Sequence, residues 1–242
     1  MKKNDAIRFV ILRSFGNFLV LLSLYGVFTI FGPVISYEVQ YRVIQARGMS
    51  FTVKDSTSVN PSTEPPIAQQ NSTQEENAIT FSDILAGDTE QILTPKDPFF
   101  SILIPKIGAS SRVYPNIDPD NSVEFTQILT QGVAHAKGTV FPGHAGNIYL
   151  FAHSAANWWD AGRYNAIFYT LNHMSPGDEI VIFFENTKFV YVVNNKEILE
   201  SNDTRYLTQD HSGKEQLVLQ TCWPPGTTWK RMYVTAERKV AK

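Results

Sequence analysis

The sequence predicts a mainly β domain, a barrel or sandwich with minor helices, behind one membrane-crossing helix and a disordered linker. Three observations carry this. Residues 14–37 hold no charge. Residues 50–80 are dominated by Ser, Thr, Pro, Asn and Gln. From Asp97 onward, apolar residues arrive in short β-branched and aromatic runs rather than at helical spacing.

Residues 1–13 form a basic tip, with Lys2, Lys3, Arg8 and Arg13 against Asp5. The uncharged run over 14–37 is interrupted only by Asn17, Thr29 and serines. It is long enough for one bilayer crossing, for which about 20 helical residues suffice. Pro33 lies near its far end, where a helix can stop. The positive-inside rule keeps the tip cytoplasmic and puts everything after Tyr37 outside the membrane. A cleavable signal peptide has a shorter apolar core and a small-x-small cleavage site, and no clean A-x-A follows here. A buried core helix is the third reading of the same run.

Residues 38–96 read as an extracytoplasmic linker. Within 50–80, 19 of 31 residues are Ser, Thr, Pro, Asn or Gln, and Phe51 is the only aromatic. Such a stretch buries too little apolar surface to offset its chain entropy, which predicts disorder. From Gly48 to Glu90 the net charge is −6, and an acidic chain repels itself and extends. The expected role is a plain spacer.

Residues 97–242 form the folded domain. Its apolar runs are FFSILIP, NIYLFAH, EIVIFFEN, KFVYVVNN, QLVLQTC and RMYVTAE, each bounded by Gly, Pro, Asn or Asp. Asn186-Thr187 marks a hairpin-length gap between two of them. One helix is expected over 165–173, stopping before Ser175-Pro176-Gly177. No internal repeat, P-loop, GxGxxG or metal-ligand spacing is present.

The net charge of −2 gives no basic field for nucleic acid. The single cysteine, Cys222, excludes an internal disulfide and a Cys-rich metal cluster. Cys222 precedes Trp223-Pro224-Pro225-Gly226, through which no strand continues, so it stands at a strand end beside a rigid loop. A free cysteine is often a buried apolar filler. A thiolate nucleophile needs a neighbouring base or cation. His153 ends the NIYLFA run much as Cys222 ends its own. His135 and His144 lie in the Gly-rich stretch GVAHAKGTVFPGHAGN, His173 ends the expected helix, and His211 sits in a polar loop. Spacing alone does not choose between His153 and His135. Arg231 opens the strand after the WPPGTTWK loop, which can return it beside Cys222 on an adjacent antiparallel strand. An arginine there suits a developing oxyanion. A surface arginine equivalent to Lys230 is the plainer reading.

Thr221-Cys222, Pro224, Gly226-Thr227 and Arg231 together resemble the sortase signature T-C-x-P-x-G-T-x-x-x-R. The stretch 132–139, then Pro142-Gly143, Gly146-Asn147 and Ala152-His153, is similar to the sortase block that leads to the catalytic histidine. FSILIPKIG resembles the family's first strand. The similarity covers about residues 97–239. The resemblance implies a sortase-like eight-stranded β-barrel with short helices. It implies that Cys222 attacks a carbonyl in an LPxTG-like sorting motif of a secreted protein and forms a thioester. It implies His153 as general acid/base and Arg231 as the group that positions substrate and stabilises the oxyanion. It assigns substrate contacts to Thr221, His135 and Trp223. The implied acceptor is an amine, from a lipid-linked peptidoglycan precursor or a pilin lysine. No metal or organic cofactor is required. A calcium site, present in some members, is not legible here, and Asp118, Asp120 and Glu124 read as a solvated turn.

Ala152-His153-Ser154 departs from the G-H-R common at this histidine. Trp158 and Trp159 read as packing in an extended loop. Asp97-Pro98-Phe99 resembles the lid tripeptide of pilin-polymerising members, but it directly precedes the first strand. Two other classes share the layout. An L,D-transpeptidase-like cysteine acyltransferase carries a histidine close upstream of its cysteine, which LQTCWPPG lacks. A non-catalytic exported β-domain would have an inert, buried Cys222.

Overall fold

The structure is a computed structural model that describes residues 3–53, 90–154, 167–208 and 213–239. The N-terminal helix, α1 (Lys3–Ala46), is longer than expected at both ends and passes through Pro33. A proline inside a helix removes one backbone hydrogen bond. Tertiary packing of the last turns supports the helix beyond it. Glu38 Oε2 lies 3.1 Å from His173 Nε2, the Tyr41 ring stacks on His173 with centroids 3.8 Å apart, and Ile44 is buried. The segment Ile7–Thr29 is long and apolar enough to cross a bilayer, and none of it packs against the rest of the chain.

Strand β1 (Ser50–Val53) pairs in parallel with β2 (Glu90–Leu93). The C-terminal end of α1, β1 and β2 thus belong to the folded unit, where a linker was expected throughout. Their apolar residues are too sparse to show a period, yet Ile44, Met49, Phe51 and Leu93 cover Leu103, Val181 and Phe183 of the domain. Gly108 permits this. It has φ 62°, and a Cβ there would stand 2.9 Å from the Phe51 ring. Residues 54–89, Trp158, Trp159 and His211 lie outside the described residues.

Eight strands close into a barrel: β3 (Phe100–Ile104), β4 (Ala109–Ile117), β5 (Val133–Ala136), β6 (Gly146–Phe151), β7 (Glu179–Phe184), β8 (Thr187–Glu200), β9 (Glu215–Trp223) and β10 (Lys230–Arg238). Their order is β10-β8-β7-β3-β4-β5-β6-β9. The β4–β5 and β6–β9 pairs are parallel and the others antiparallel. Helix α2 (Ser122–Leu129) lies in the β4–β5 connection. It is capped by Asn121, whose Oδ1 accepts from the Glu124 N–H at 3.3 Å while its Nδ2 donates to Glu124 Oε2 at 3.2 Å. The stretch read as a solvated turn therefore starts a helix.

The barrel interior is filled from alternate strand positions, among them Ile102, Ile148, Leu150, Ile182, Leu217 and Leu219. The outer face of β5, β6, β9 and β10 is also buried. There Ala134, Tyr149, Phe151, Val218 and Tyr233 are covered by Leu129 of α2 and Tyr206 of α3 (Arg205–Thr208). Burial on both faces explains why runs such as NIYLF read as continuously apolar.

Two local expectations differ in detail. The helix expected to end at His173 is a 3-10 turn over Tyr169–His173, and Asn165 and Ala166 lie outside the described residues. The β7–β8 turn centres on Glu185 and Asn186, at φ 48° and 61°. Its N–H groups donate to the carbonyls of Phe99 and Pro98 at 2.9 and 3.1 Å.

Candidate active site

Strand pairing lays three candidate groups in one row. Arg231 of β10 is directly opposite Cys222 of β9. On the other side, β6 runs parallel to β9 with Phe151 beside Gln220, and the Ala152 N–H donates to the Gln220 carbonyl at 3.2 Å. Two residues further along this register, His153 comes alongside Cys222. Side chains two apart in a strand share a face. Val218 faces the outer cluster and Leu217 and Leu219 the interior, so Cys222 faces outward. Tyr233 and Phe151 put Arg231 and His153 on the same outer face. The row His153–Cys222–Arg231 thus runs across three adjacent strands at the end of the outer cluster.

Local chemistry holds the row in place. β9 ends at Trp223 because Pro224 and Pro225 cannot continue a ladder. The loop then returns as β10 with Lys230 opposite Trp223. Arg231 Nη1 donates to the carbonyls of Thr228 and Lys230 at 3.1 and 3.2 Å, which fixes its guanidinium at the loop's return. Thr221 Oγ1 donates to the Ala152 carbonyl at 3.0 Å, tying the residue before Cys222 to the residue before His153.

The electrostatics are those of a half-desolvated pair. Burial raises the Cys222 thiol above its ordinary value, and the Arg231 charge opposes this. Burial holds His153 below the ordinary imidazole value. At neutral pH the resting pair is therefore thiol and neutral imidazole, with one poised to give a proton and the other to take it. A cation beside the sulfur lowers the energy of the thiolate as it forms.

The other residues assigned to substrate contact lie elsewhere. Thr221 is 0% exposed and faces the interior, in register with Met232. His135 is also 0% exposed. It shares the inner face with Val133, stacks on Phe141 at 4.5 Å, accepts from the Asn116 N–H at 3.3 Å and meets the Val140 carbonyl at 3.0 Å. Trp223 is half-buried and packs against the interior core. On β5 and β9 these positions alternate with the outward-facing ones, so the pleat turns all three toward the interior. Thr221 and His135 are thus buried, and Trp223 keeps part of its surface exposed. Gln220, Phe151 and Tyr233 lie one row behind on the same outer face, with Phe151 and Tyr233 buried beneath α2 and α3. Alternation from Cys222 and His153 is the sequence signal that would have found them.

Asp97-Pro98-Phe99 lies away from the row His153–Cys222–Arg231. Asp97 Oδ2 lies 2.8 Å from Arg112 Nε, and Asp97 Oδ1 accepts from the Phe99 N–H at 2.8 Å. This fixes the tripeptide beside β3, the strand opposite β9 in the closed order. Among the described residues, no three His, Cys, Asp or Glu side chains converge as metal ligands. Asp118 caps the Asp120 N–H at 3.0 Å and pairs with Lys137 at 3.6 Å.

Comparison with known proteins agrees with this architecture. A Sortase domain model matches residues 102–239, more than half of the chain. Sortase D of Bacillus subtilis (strain 168) is 28% identical over 138 residues, 56% of this chain and 61% of that protein. The match thus spans less than two thirds of that relative's length. Among solved structures, sortase C-1 from Actinomyces oris is 27% identical at TM-score 0.51, covering 60% of this chain and 77% of the other. Sortase C1 of GBS Pilus Island 1 shares the fold at 22% identity and TM-score 0.50, covering 59% and 64%. With the family model matching from within β3 through β10, over more than half of its length, the chain belongs to the sortase family.

Proposed function

We propose that this protein is a membrane-anchored cysteine transpeptidase with its barrel outside the cell membrane. The observation that carries this reading is the outward-facing row His153–Cys222–Arg231. The substrate is a secreted protein with a C-terminal LPxTG-like sorting motif. Cys222 Sγ attacks the scissile carbonyl as its proton passes to His153. The carbonyl oxygen becomes an oxyanion facing the Arg231 guanidinium. Collapse breaks the C–N bond. The leaving amine takes the proton from imidazolium, and the acyl half stays on sulfur as a thioester. An incoming amine then gives its proton to His153, attacks the thioester and forms a new amide, and the thiol is restored. A peptidoglycan precursor or a pilin lysine supplies that amine.

The uncharged run of α1 and the basic residues before it support the membrane placement. The test is cleavage of LPxTG-type peptides by full-length protein in detergent, with and without an added amine. Wild type is expected to cleave and to join the acyl half to the amine. Cys222→Ala is expected to do neither, and full activity in that variant would overturn the proposal.

A further inference from the structure

The connection from the apolar segment to the barrel is helical and short. That segment of α1 ends at Thr29, and Glu38 already touches the folded domain. Residues 54–89 fall between β1 and β2, which both belong to that domain, so they add no length between the two. Glu38 holds Arg42 Nε at 2.8 Å with one carboxylate oxygen and His173 Nε2 at 3.1 Å with the other, and Tyr41 stacks on the same imidazole. The 3-10 turn Tyr169–His173 that receives them is itself fixed. Phe168, Leu171 and Met174 are buried in the barrel interior, and Lys196 of β8 donates to the carbonyls of Asn172 and Met174 at 2.6 and 2.9 Å. This turn leads into β7, at the rim where β7 and β10 begin and β6, β8 and β9 end. His153, Cys222 and Arg231 stand at the same rim.

We infer that this rim is the membrane-facing surface of the barrel: α1, locked to His173, holds the row His153–Cys222–Arg231 over the lipid headgroups at a set height. The inference rests on the proposed membrane anchoring and adds which face of the barrel meets the bilayer. The 23 residues of Ile7–Thr29 make about 34 Å of helix, against a hydrocarbon core of about 30 Å. From Thr29 to Glu38 the helix rises about 14 Å, of which the headgroup layer takes up about 5–8 Å. His173 thus stands within about 10 Å of the headgroups, no more than the thickness of one helix. Along α1 the contacts pass from Ile44, clustered with Leu103 and Val181 of the strands, to Tyr41 and Glu38 on the turn before β7. The helix therefore leaves the barrel past this rim and not past the opposite one. Trp229, in the β9–β10 loop beside Arg231, is 72% exposed at the same rim, and an indole suits a headgroup layer. The opposite rim carries the β7–β8 turn. The 14 residues of β8 connect the two rims over about 43 Å of strand, and a barrel tilt of about 35–45° leaves about 30–35 Å of that as height.

Cys222 is the single cysteine of the chain, so a fluorophore on its thiol reports the height of the row directly. The test uses full-length protein in phosphatidylcholine–phosphatidylglycerol vesicles whose headgroups carry energy-transfer acceptors. The donor sits on Cys222 or, in a Cys222→Ala background, on Thr187→Cys, an exposed position at the opposite rim. Transfer from Cys222 is expected to exceed that from the Thr187 position by about twofold or more, given the difference in height. Four alanines inserted between Ser36 and Tyr37 lengthen the helix by about 6 Å and leave the contacts with His173 in place, so transfer from Cys222 should fall. Glu38→Gln combined with Tyr41→Ala undoes those contacts and should bring the two donor positions toward equal transfer. Equal transfer from the two rims without the other changes, stronger transfer from the Thr187 position, no change on lengthening, or a dock variant as unequal as its parent overturns the inference while leaving membrane-anchored transpeptidation standing. If the protein does not float with the vesicles, the membrane anchoring itself fails and this inference falls with it.

Discussion

Replacing Thr221 with valine should damage the site without touching its outward row. Valine matches threonine in shape but lacks the hydroxyl. Thr221 Oγ1 donates to the Ala152 carbonyl at 3.0 Å from a fully buried position. Loss of that donor leaves a buried acceptor unsatisfied, which costs about 1–3 kcal/mol. For a domain of this size the expected fall in Tm is about 3–9 °C, at roughly 3 °C per kcal/mol. The bond also sets the spacing of the two neighbours, Cys222 and His153. A shift of even part of an ångström there should lower kcat/KM by about tenfold, since misplacement by about 1 Å can cost 10²-fold. Thermal unfolding of the full-length protein in detergent and peptide-cleavage kinetics read both effects. Thr221→Ser keeps the hydroxyl and should recover most of the activity. Wild-type Tm and kcat/KM in T221V, or a T221S as impaired as T221V, would refute the reasoning.

Other predictions follow from the same geometry. The pH profile of kcat/KM should be a broad bell. Its acid limb should lie below the ordinary imidazole value, because burial disfavours charged His153, and its alkaline limb above the ordinary thiol value, because burial disfavours the Cys222 thiolate. Arg231→Gln removes the charge that opposes the thiol's upward shift, so the alkaline limb should move to still higher pH and thiol labelling at neutral pH should slow. An unmoved limb in R231Q would separate the guanidinium from the sulfur. Gly132→Ala would put a Cβ 2.6 Å from the Arg112 carbonyl, behind β5, and should destabilise the barrel by about 1–3 kcal/mol. A denaturation midpoint equal to wild type would show that the chain relaxes around it. Glu38→Gln weakens the contact between α1 and His173, where the imidazole holds the Glu38 carboxyl below its ordinary value. That contact contributes above the ordinary carboxylate range and is lost as pH falls through the lowered value, so wild type and variant should converge in Tm at acid pH.

Much of this fold was legible because its strands obey simple rules. The apolar runs are short, β-branched and closed by Gly, Pro or Asn, and each became a barrel strand. The paired prolines after Trp223 mark the end of β9 without reference to any partner. Less legible was what depends on distant contacts. Phe51 reads as a lone aromatic in a polar stretch until Leu103 and Val181 are brought beneath it. Pro33 reads as a stop until His173 engages Glu38 and Tyr41 beyond it.

The site shows the same divide. The residue types of the outward row were readable, while the face of their neighbours was not. A one-residue step along a strand changes the side of the sheet. Thr221 and Trp223 flank Cys222 in the chain, yet both face the barrel interior. Gln220 is two residues off and shares its face. Which side chains share the outer face with Cys222 is clear only once β6 and β10 are paired with β9, which lines up Phe151, Gln220 and Tyr233.

The central claim is that Cys222 carries the acyl half of the substrate between two amines. Intact-mass spectrometry of the full-length protein, quenched in acid during turnover of a sorting peptide, tests it most directly. An adduct equal to the acyl half should map to Cys222, disappear on addition of hydroxylamine or an acceptor amine, and be absent from C222A. Cleavage that persists in C222A, or an adduct on any other residue, would contradict the account.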